Sequence, residues 1–175
     1  ARRHVEVVDP EVDRATDEKR EIRLREYVED VLRSLNPRFR KTPYTVSVAG
    51  PDDLVIATHP GGLSQVLTNL VINSLVHGFE NRDSGHIAIE IVREGGRHVV
   101  LHYSDDGCGI APEHLGRIYE PFFTTKRGVG GSGLGMNIVY NIVTHSLGGT
   151  LVCKSALGAG VRFAIRLPVD KDGVA

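Results

Sequence analysis

Four polar side chains recur at every fourth position within an otherwise apolar segment. They are Gln65, Asn69, Asn73 and His77, and this spacing places them on one face of a helix, opposite its apolar residues. An asparagine amide offers a carbonyl oxygen to Mg²⁺ and N–H donors to phosphate oxygens. The column therefore indicates either a metal and phosphate site or an ordinary solvated face, and the spacing alone does not decide between them.

A second polar segment, SDDGCGI at residues 104–110, leaves a predicted strand. The carboxylate of Asp105 at the strand end can accept a hydrogen bond from an exocyclic amine, and Gly107 and Gly109 would let a flat base approach the backbone. A plain Asp-Gly turn explains the same residues equally simply. Both interpretations stay open on this segment alone.

Glycines are concentrated again in GGSGLG, residues 130–135, immediately before a predicted helix. Backbone N–H groups in such a segment, together with the positive end of the helix dipole, form a cradle for phosphate. No Gly-Lys-Ser/Thr ending follows, and no βαβ pattern supports a dinucleotide fingerprint. The phosphate interpretation needs neither motif.

The segment YEPFFTTKR, residues 119–127, lies between these two glycine-rich stretches. Exposed aromatic side chains on a mobile loop are typical of a lid, and Lys126 or Arg127 could contact a polyphosphate when such a lid closes. The alternative is that Phe122 and Phe123 only anchor the loop by local packing.

The remaining pattern shows which elements must position these residues. It predicts an α+β protein with two layers, in which helices pack on one face of a mixed, mainly antiparallel sheet. The predicted elements are a helix over 11–35 ended by Asn36-Pro37, a hairpin of 44–48 and 54–57, a helix over 60–77, a hairpin of 86–92 and 99–103, a mobile glycine-rich loop over 105–135, a helix over 134–147, and a hairpin of 150–154 and 161–167.

Composition excludes several classes of protein. The 175 residues fit one domain, and 21 basic against 22 acidic residues leave no positive field for nucleic acid. Cysteine occurs only at positions 108 and 153, which is too few for a disulfide framework. The apolar stretch 63–79 is interrupted by polar residues and cannot cross a bilayer. The expected location is cytoplasmic, and a longer parent protein could still carry a membrane anchor.

Five segments, taken in order, resemble the catalytic ATP-binding domain of two-component sensor histidine kinases, which has the GHKL or Bergerat fold. The resemblance covers residues 40–168, and it is the order and spacing of the segments that make it specific. They correspond to the N box Asn69-x-x-x-Asn73, the first glycine box Asp105-x-Gly107-x-Gly109-Ile110, the F box Pro121-Phe122-Phe123-Thr124-Thr125-Lys126, the second glycine box Gly131-x-Gly133-Leu134-Gly135 and the last glycine segment Gly158-x-Gly160-x-x-Phe163.

The resemblance implies a role for each box. Asn73 would ligate Mg²⁺, Asn69 would lie on the triphosphate side, and Asp105 would receive the adenine amino group. The backbone of residues 131–135 would hold phosphates, and residues 111–131 would form the ATP lid. The implied ATP-binding set is Asn69, Asn73, His77, Asp105, Gly107, Gly109, Ile110, Thr125, Lys126, Gly131, Ser132, Gly133, Leu134 and Gly135.

Three positions depart from the family pattern. Many members have Lys and an aromatic residue where this chain has Val76 and His77, and many have Thr where it has Val161. A phosphate contact is therefore lost at Val76, and stacking on adenine would fall to the His77 imidazole.

Position 69 separates a kinase from an ATPase. The resemblance places the water-activating glutamate of the GHKL ATPases at Asn69, and an amide has no basicity for that task. We therefore expect transfer of the γ-phosphoryl group from Mg-ATP to a histidine. The alternatives are a serine kinase of the anti-sigma-factor type and a non-catalytic ATP-binding regulatory module.

The acceptor histidine is expected outside this chain. None of the eight histidines is followed by the Glu or Asp that serves as base in such acceptors. The expected partners are the dimerisation and histidine-phosphotransfer domain of the same parent protein and a response regulator. No nucleic acid is expected, and we expect a monomeric fragment of a homodimeric parent.

The expected domain division follows from this interpretation. Residues 1–38 would be a helical extension, either the linker or the tail of the missing dimerisation domain. Residues 39–170 would be the ATP-binding domain, followed by a polar tail at 171–175. A helix packed on its own domain is the alternative for the charged segment 11–35.

Overall fold

The computed structural model describes residues 17–126 and 132–169. Two of the helices continue directly into wider π-helical turns, Ser74–Gly78 and Ile142–Ser146. The helices are α1 (Leu24–Ser34), α2 (Asn36–Phe39), α3 (Pro60–Asn73), α4 (Pro112–Leu115) and α5 (Gly135–Asn141). The strands are β1 (Arg20–Arg23), β2 (Tyr44–Ala49), β3 (Val55–Thr58), β4 (Gly85–Glu94), β5 (His98–Asp105), β6 (Thr150–Ser155) and β7 (Val161–Pro168).

The main sheet has five strands in the order β2-β4-β5-β7-β6. Strands β2 and β4 are parallel, and the other neighbours are antiparallel. One face of the sheet is buried, as the alternation of buried Ile87, Ile89 and Ile91 with more exposed residues along β4 shows. The α+β architecture with a mixed, mainly antiparallel sheet is confirmed, as are the hairpins β4–β5 and β6–β7.

Helix α3 holds its polar face in place through its apolar stripe. The residues of that stripe are fully buried and belong to one cluster with the inner face of the sheet: Leu63, Val66, Leu67, Leu70 and Val71. Burying each such side chain stabilises the fold by about 1.5–3 kcal/mol. The opposite face of α3, which carries the asparagines, is therefore rigidly positioned.

The prediction of one helix over residues 11–35 is wrong at residues 20–23, which form β1. Ile22 pairs with Ile56 of β3 and is buried, while its charged neighbours stay exposed. Four residues are too few to reveal an alternating pattern within a densely charged segment. Helix α1 then packs Leu24, Val28 and Val31 into the same core as α3. Residues 1–16 and 170–175 lie outside the described part of the chain.

The predicted hairpin of residues 44–48 and 54–57 is also wrong. Both segments are strands, but β2 joins β4 in the main sheet, whereas β3 pairs with β1 in a separate two-stranded sheet. The connection begins at Gly50, where a Cβ would lie 2.7 Å from the Cβ of Ile91. Only glycine allows the chain to leave the sheet this closely to β4.

The glycine-rich stretch 105–135 contains more structure than a mobile loop. Pro112 begins the short helix α4, and Ile118 is buried in the core. Arg117 lies over the ring of Phe123, at 4.6 Å from its centroid. In the described residues, no helix has the length and apolar character needed to span a membrane.

Candidate functional site

A cavity of about 450 Å³ lies between α3 with its π-helical turn, the end of β5, the segment 108–126 and the start of α5. Its volume is in the range of small-molecule sites. Most of the expected site residues line it: Asn69, Asn73, His77, Asp105, Gly109, Ile110, Thr125, Lys126, Ser132, Gly133 and Gly135. Gly107 and Leu134 are not part of this lining, and Gly131 is outside the described residues.

The carboxylate of Asp105 is the most constrained polar group of the cavity. Its residue is 8% exposed, because β5 directs it inward in line with Leu101 and Tyr103. Oδ1 accepts the backbone N–H of Gly107 at 3.0 Å and that of Val161 at 3.2 Å. Oδ2 accepts the hydroxyl of Ser74 at 2.6 Å.

Glycines keep the space around this carboxylate open. A Cβ at Gly78 would lie 3.1 Å from Oδ2 of Asp105, on the side where the cavity lies. A Cβ at Gly107 would lie 2.5 Å from the carbonyl oxygen of Gly78, and the Cys108 N–H donates to that same oxygen at 2.8 Å. A flat ligand can therefore approach Oδ2 next to Gly78.

The first glycine box is fastened to the last hairpin. The backbone N–H of Ile110 donates to Oγ of Ser155 at 2.8 Å, and that hydroxyl donates to the Gly160 carbonyl at 2.7 Å. Gly109 has φ +74°, and a Cβ there would lie 2.0 Å from the Ala156 carbonyl oxygen. These contacts fix the wall of the cavity nearest to Asp105.

The two asparagines of α3 face the start of α5. Nδ2 of Asn69 approaches the Gly135 carbonyl oxygen at 3.5 Å, and a Cβ at Gly135 would lie 3.7 Å from Oδ1 of Asn73. The described residues contain no cluster of three or more His, Cys, Asp or Glu that could hold a metal. Mg²⁺ suits such a place, since it is commonly held by one or two protein oxygens together with phosphates and water.

Lys126 is held at the edge of the cavity. Its ammonium nitrogen lies 2.7 Å from Oε2 of Glu80 and donates to the Val76 carbonyl oxygen at 2.7 Å. The side chain of Lys126 is 17% exposed, against 51% for that of Glu80. The cation therefore lies beside Val76, the position at which the family pattern has a lysine of its own.

His77 lines the cavity as a half-buried imidazole. Burial lowers its pKa below the ordinary value, the nearby charge of Lys126 lowers it further, and Glu80 acts in the opposite direction. The pKa shift favours the neutral ring. A neutral imidazole can lie against an aromatic base without bringing a charge into the cavity.

The predicted lid segment lies close to the second glycine box at Phe122 and Gly133. Phe122 is exposed and has φ +64°, a conformation that bulky residues rarely adopt. Gly133 has φ +72°, and a Cβ there would lie 2.4 Å from the carbonyl carbon of Phe122. Glycine at 133 therefore lets the two segments touch through their backbones.

Sequence reasoning missed Ser74, Tyr103, Ser155 and Glu80. A signal existed for Ser74, because it follows Leu67 and Leu70 on the apolar stripe, where a hydroxyl requires a buried partner. No comparable signal marked Ser155 or Glu80, whose partners lie in distant segments of the chain.

Solved structures share this architecture. The catalytic domain of histidine kinase ThkA aligns with a TM-score of 0.72 and 27% identity, over 87% of this chain and 96% of that domain. Full-length ShkA, solved in complex with AMPPNP, aligns with a TM-score of 0.72 over 86% of this chain and 31% of its own, and at 24% identity it supports the fold alone. The fold is that of a histidine kinase catalytic domain.

The family follows from the sequence comparison. Residues 58–171 match the model of the histidine kinase-, DNA gyrase B- and HSP90-like ATPases, so the chain belongs to this family. Sensor histidine kinase ZraS of Salmonella typhimurium is 40% identical over 114 residues, which are 65% of this chain and 23% of ZraS. Sensor protein TorS of Escherichia coli is 32% identical over 147 residues, or 83% of this chain and 15% of TorS. The family and fold that the resemblance implied are confirmed.

Proposed function

We propose that this chain binds Mg-ATP and donates the γ-phosphoryl group to a histidine on a separate dimerisation and phosphoacceptor domain of its parent protein. One observation carries the proposal. The cavity has the size of a nucleotide site, with a fixed carboxylate acceptor at one end and two amides at the other. ATP would supply the phosphoryl group, and Mg²⁺ would neutralise charge on its phosphates.

Each end of the cavity has a distinct task. Oδ2 of Asp105 would accept the adenine amino group, and His77 would lie against the base. The amide oxygen of Asn73 would ligate Mg²⁺, with Asn69 on the triphosphate side. The backbone at residues 131–135 and the ammonium of Lys126 would contact phosphate oxygens, because N–H donors and a cation suit that charge.

The cavity favours phosphoryl transfer over hydrolysis. Among its described lining residues, the only carboxylates are Asp105 and Glu80. Asp105 already accepts three hydrogen bonds, and Glu80 is paired with Lys126. Asn69 has no basicity, and His77 would lie against the base, so no carboxylate of the described lining is free to deprotonate water beside the phosphates. Bound ATP would persist until an imidazole arrives in line with its γ-phosphoryl group.

The partners follow from the same argument. The acceptor histidine and its base would belong to the dimerisation domain of the parent, and the phosphoryl group would pass to an aspartate of a response regulator. The chain spans less than a quarter of the length of the curated relatives ZraS and TorS. The fragment would be monomeric and would work in the cytoplasm.

Calorimetric titration with ATP in the presence and absence of Mg²⁺ tests the metal assignment. Asn73→Ala should abolish the Mg²⁺-dependent part of the affinity. The matched control is Asn141→Ala, because the exposed Asn141 amide donates to Oδ1 of Asn137 on the same helix and does not line the cavity. Equal affinity of the Asn73→Ala variant and the unmodified protein for Mg-ATP would contradict the assignment.

A further inference from the structure

We propose that Ser74 and Tyr103 are positioning residues that aim the Asp105 carboxylate at the adenine amino group and so set the preference for ATP. The inference rests on the proposed function, because it assumes that adenine occupies this end of the cavity. It adds two residues that determine which base is accepted: Ser74 in the cavity lining, and Tyr103, which contacts Ser74 from outside that lining. Both side chains are buried, at 2% exposure for Ser74 and 1% for Tyr103.

The hydrogen bonds among these three residues have only one consistent direction. Ser74 has a single hydroxyl proton, which it donates to Oδ2 of Asp105 over 2.6 Å. The hydroxyl oxygen of Tyr103 lies 2.7 Å from Oγ of Ser74, so Tyr103 must be the donor of that bond. Burial raises the pKa of Tyr103 far above its usual range, which keeps its proton in place. The chain of donation therefore runs from Tyr103 through Ser74 to Asp105.

The acceptor capacity of the carboxylate shows what remains for a ligand. Each carboxylate oxygen has two lone pairs. Oδ1 uses both on the N–H groups of Gly107 and Val161. Oδ2 uses one on Ser74, which leaves a single lone pair on the side of Gly78 and the cavity. That lone pair can accept from an amino group, but it repels the carbonyl oxygen that guanine has at the same position.

Ser74 and Tyr103 are placed where apolar side chains would otherwise pack. Ser74 continues the apolar stripe of α3, and Tyr103 faces inward next to Phe163. Two buried hydroxyls need partners, and here Tyr103 donates to Ser74 while Ser74 donates to Asp105. Without Ser74, Oδ2 would have two free lone pairs, and only the two bonds to Oδ1 would oppose rotation of the carboxylate about its last bond. We infer that the hydroxyls serve selectivity, because an alanine and a phenylalanine would fill the core without aiming the carboxylate.

The test compares two ligands that differ only in the amino group. ATP and purine riboside triphosphate are titrated into the unmodified protein and into Ser74→Ala. We expect Ser74→Ala to weaken ATP binding about tenfold, the effect of one hydrogen bond to a charged acceptor, and purine riboside triphosphate binding less than about twofold. A general distortion of the cavity would weaken both ligands equally, and that result would overturn the inference.

Tyr103→Phe provides a second arm that removes a single oxygen. We expect a loss of about threefold for ATP alone, because Ser74 still donates but has lost its own orienting bond. In the double variant the ATP affinity should equal that of Ser74→Ala, because Tyr103 acts through Ser74. Independent, additive losses would overturn the inference.

Two controls separate the possible failures. Tyr44→Phe also removes a tyrosine hydroxyl, one in a part-buried site that donates to the Phe79 and Arg82 carbonyls, and it should not change the preference for ATP. Thermal unfolding shows whether each variant is folded. If Ser74→Ala does not fold, the effect of Tyr103→Phe on ATP binding tests the inference by itself. If the unmodified protein binds neither ligand, both the proposed function and the inference fail. If the unmodified protein binds ATP more tightly than purine riboside triphosphate, and the variants show the same preference, the inference alone fails.

Discussion

The ion pair between Glu80 and Lys126 should oppose nucleotide binding, so its removal should raise the affinity for Mg-ATP. Lys126 cannot contact a phosphate fully while its ammonium nitrogen lies 2.7 Å from Oε2 of Glu80. Glu80 is half exposed, so solvent screens the pair, and about 1 kcal/mol is a fair upper value for it. Glu80→Gln should therefore tighten Mg-ATP binding by about three- to fivefold.

A titration in a second background shows whether the effect passes through the lysine. In the Lys126→Met background, Glu80→Gln should change the affinity for Mg-ATP by less than about twofold, because the cation for which Glu80 and phosphate compete is gone. Glu90→Gln is the matched control: it removes the same charge from an exposed site on β4, and it should leave the affinity unchanged. Unchanged or weaker ATP binding by Glu80→Gln would refute the competition.

Three further predictions concern stability and acid sensitivity. Asp17→Ala should lower the free energy of unfolding by about 1 kcal/mol in urea, because its carboxylate accepts the Gly61 and Gly62 N–H groups at the start of α3; an equal loss in Glu18→Ala would speak against this cap. Gly160→Ala should destabilise the fold far more than Gly158→Ala. Both glycines have positive φ, but only at Gly160 would a Cβ lie 1.9 Å from the Asp105 carbonyl oxygen. Comparable urea midpoints of the two variants would contradict the clash. His77 has a lowered pKa in the folded state, so the unfolded chain binds more protons and stability falls as the pH drops through about 6.5. Between about pH 7.5 and about pH 5.5, His77→Gln should therefore lose less stability than the unmodified protein. Parallel pH profiles of the two melting temperatures would exclude this contribution of His77.

The sequence predicted those elements whose pattern is long or whose turn chemistry is strong. Helix α3 was predictable because its apolar stripe, Leu63 to Val71, extends over about two and a half turns. The hairpin β4–β5 was predictable because Gly95 and Gly96 mark its turn. Strand β1 was not predictable, because it has only four residues in a charged segment and pairs with β3, which is distant in the sequence. Short strands of this kind depend on tertiary partners rather than on local preference.

Part of the candidate site could likewise be predicted from the sequence, and part of it could not. The glycine boxes and the amide column were visible because their residue types are unusual at those spacings. The hydroxyl behind Asp105 could have been found from Ser74, a polar residue on an apolar stripe. The pairing of Lys126 with Glu80 could not be predicted from the sequence, because it joins side chains 46 positions apart in two segments without regular structure.

The central claim is that this cavity holds ATP for transfer to an imidazole and has no free carboxylate to activate water. The most direct measurement supplies γ-labelled Mg-ATP to the chain, with and without the isolated helical phosphoacceptor domain of its parent. The account predicts label on a histidine of that domain and very little phosphate release by the chain alone. Rapid release of phosphate by the chain alone, or label on serine, would contradict it.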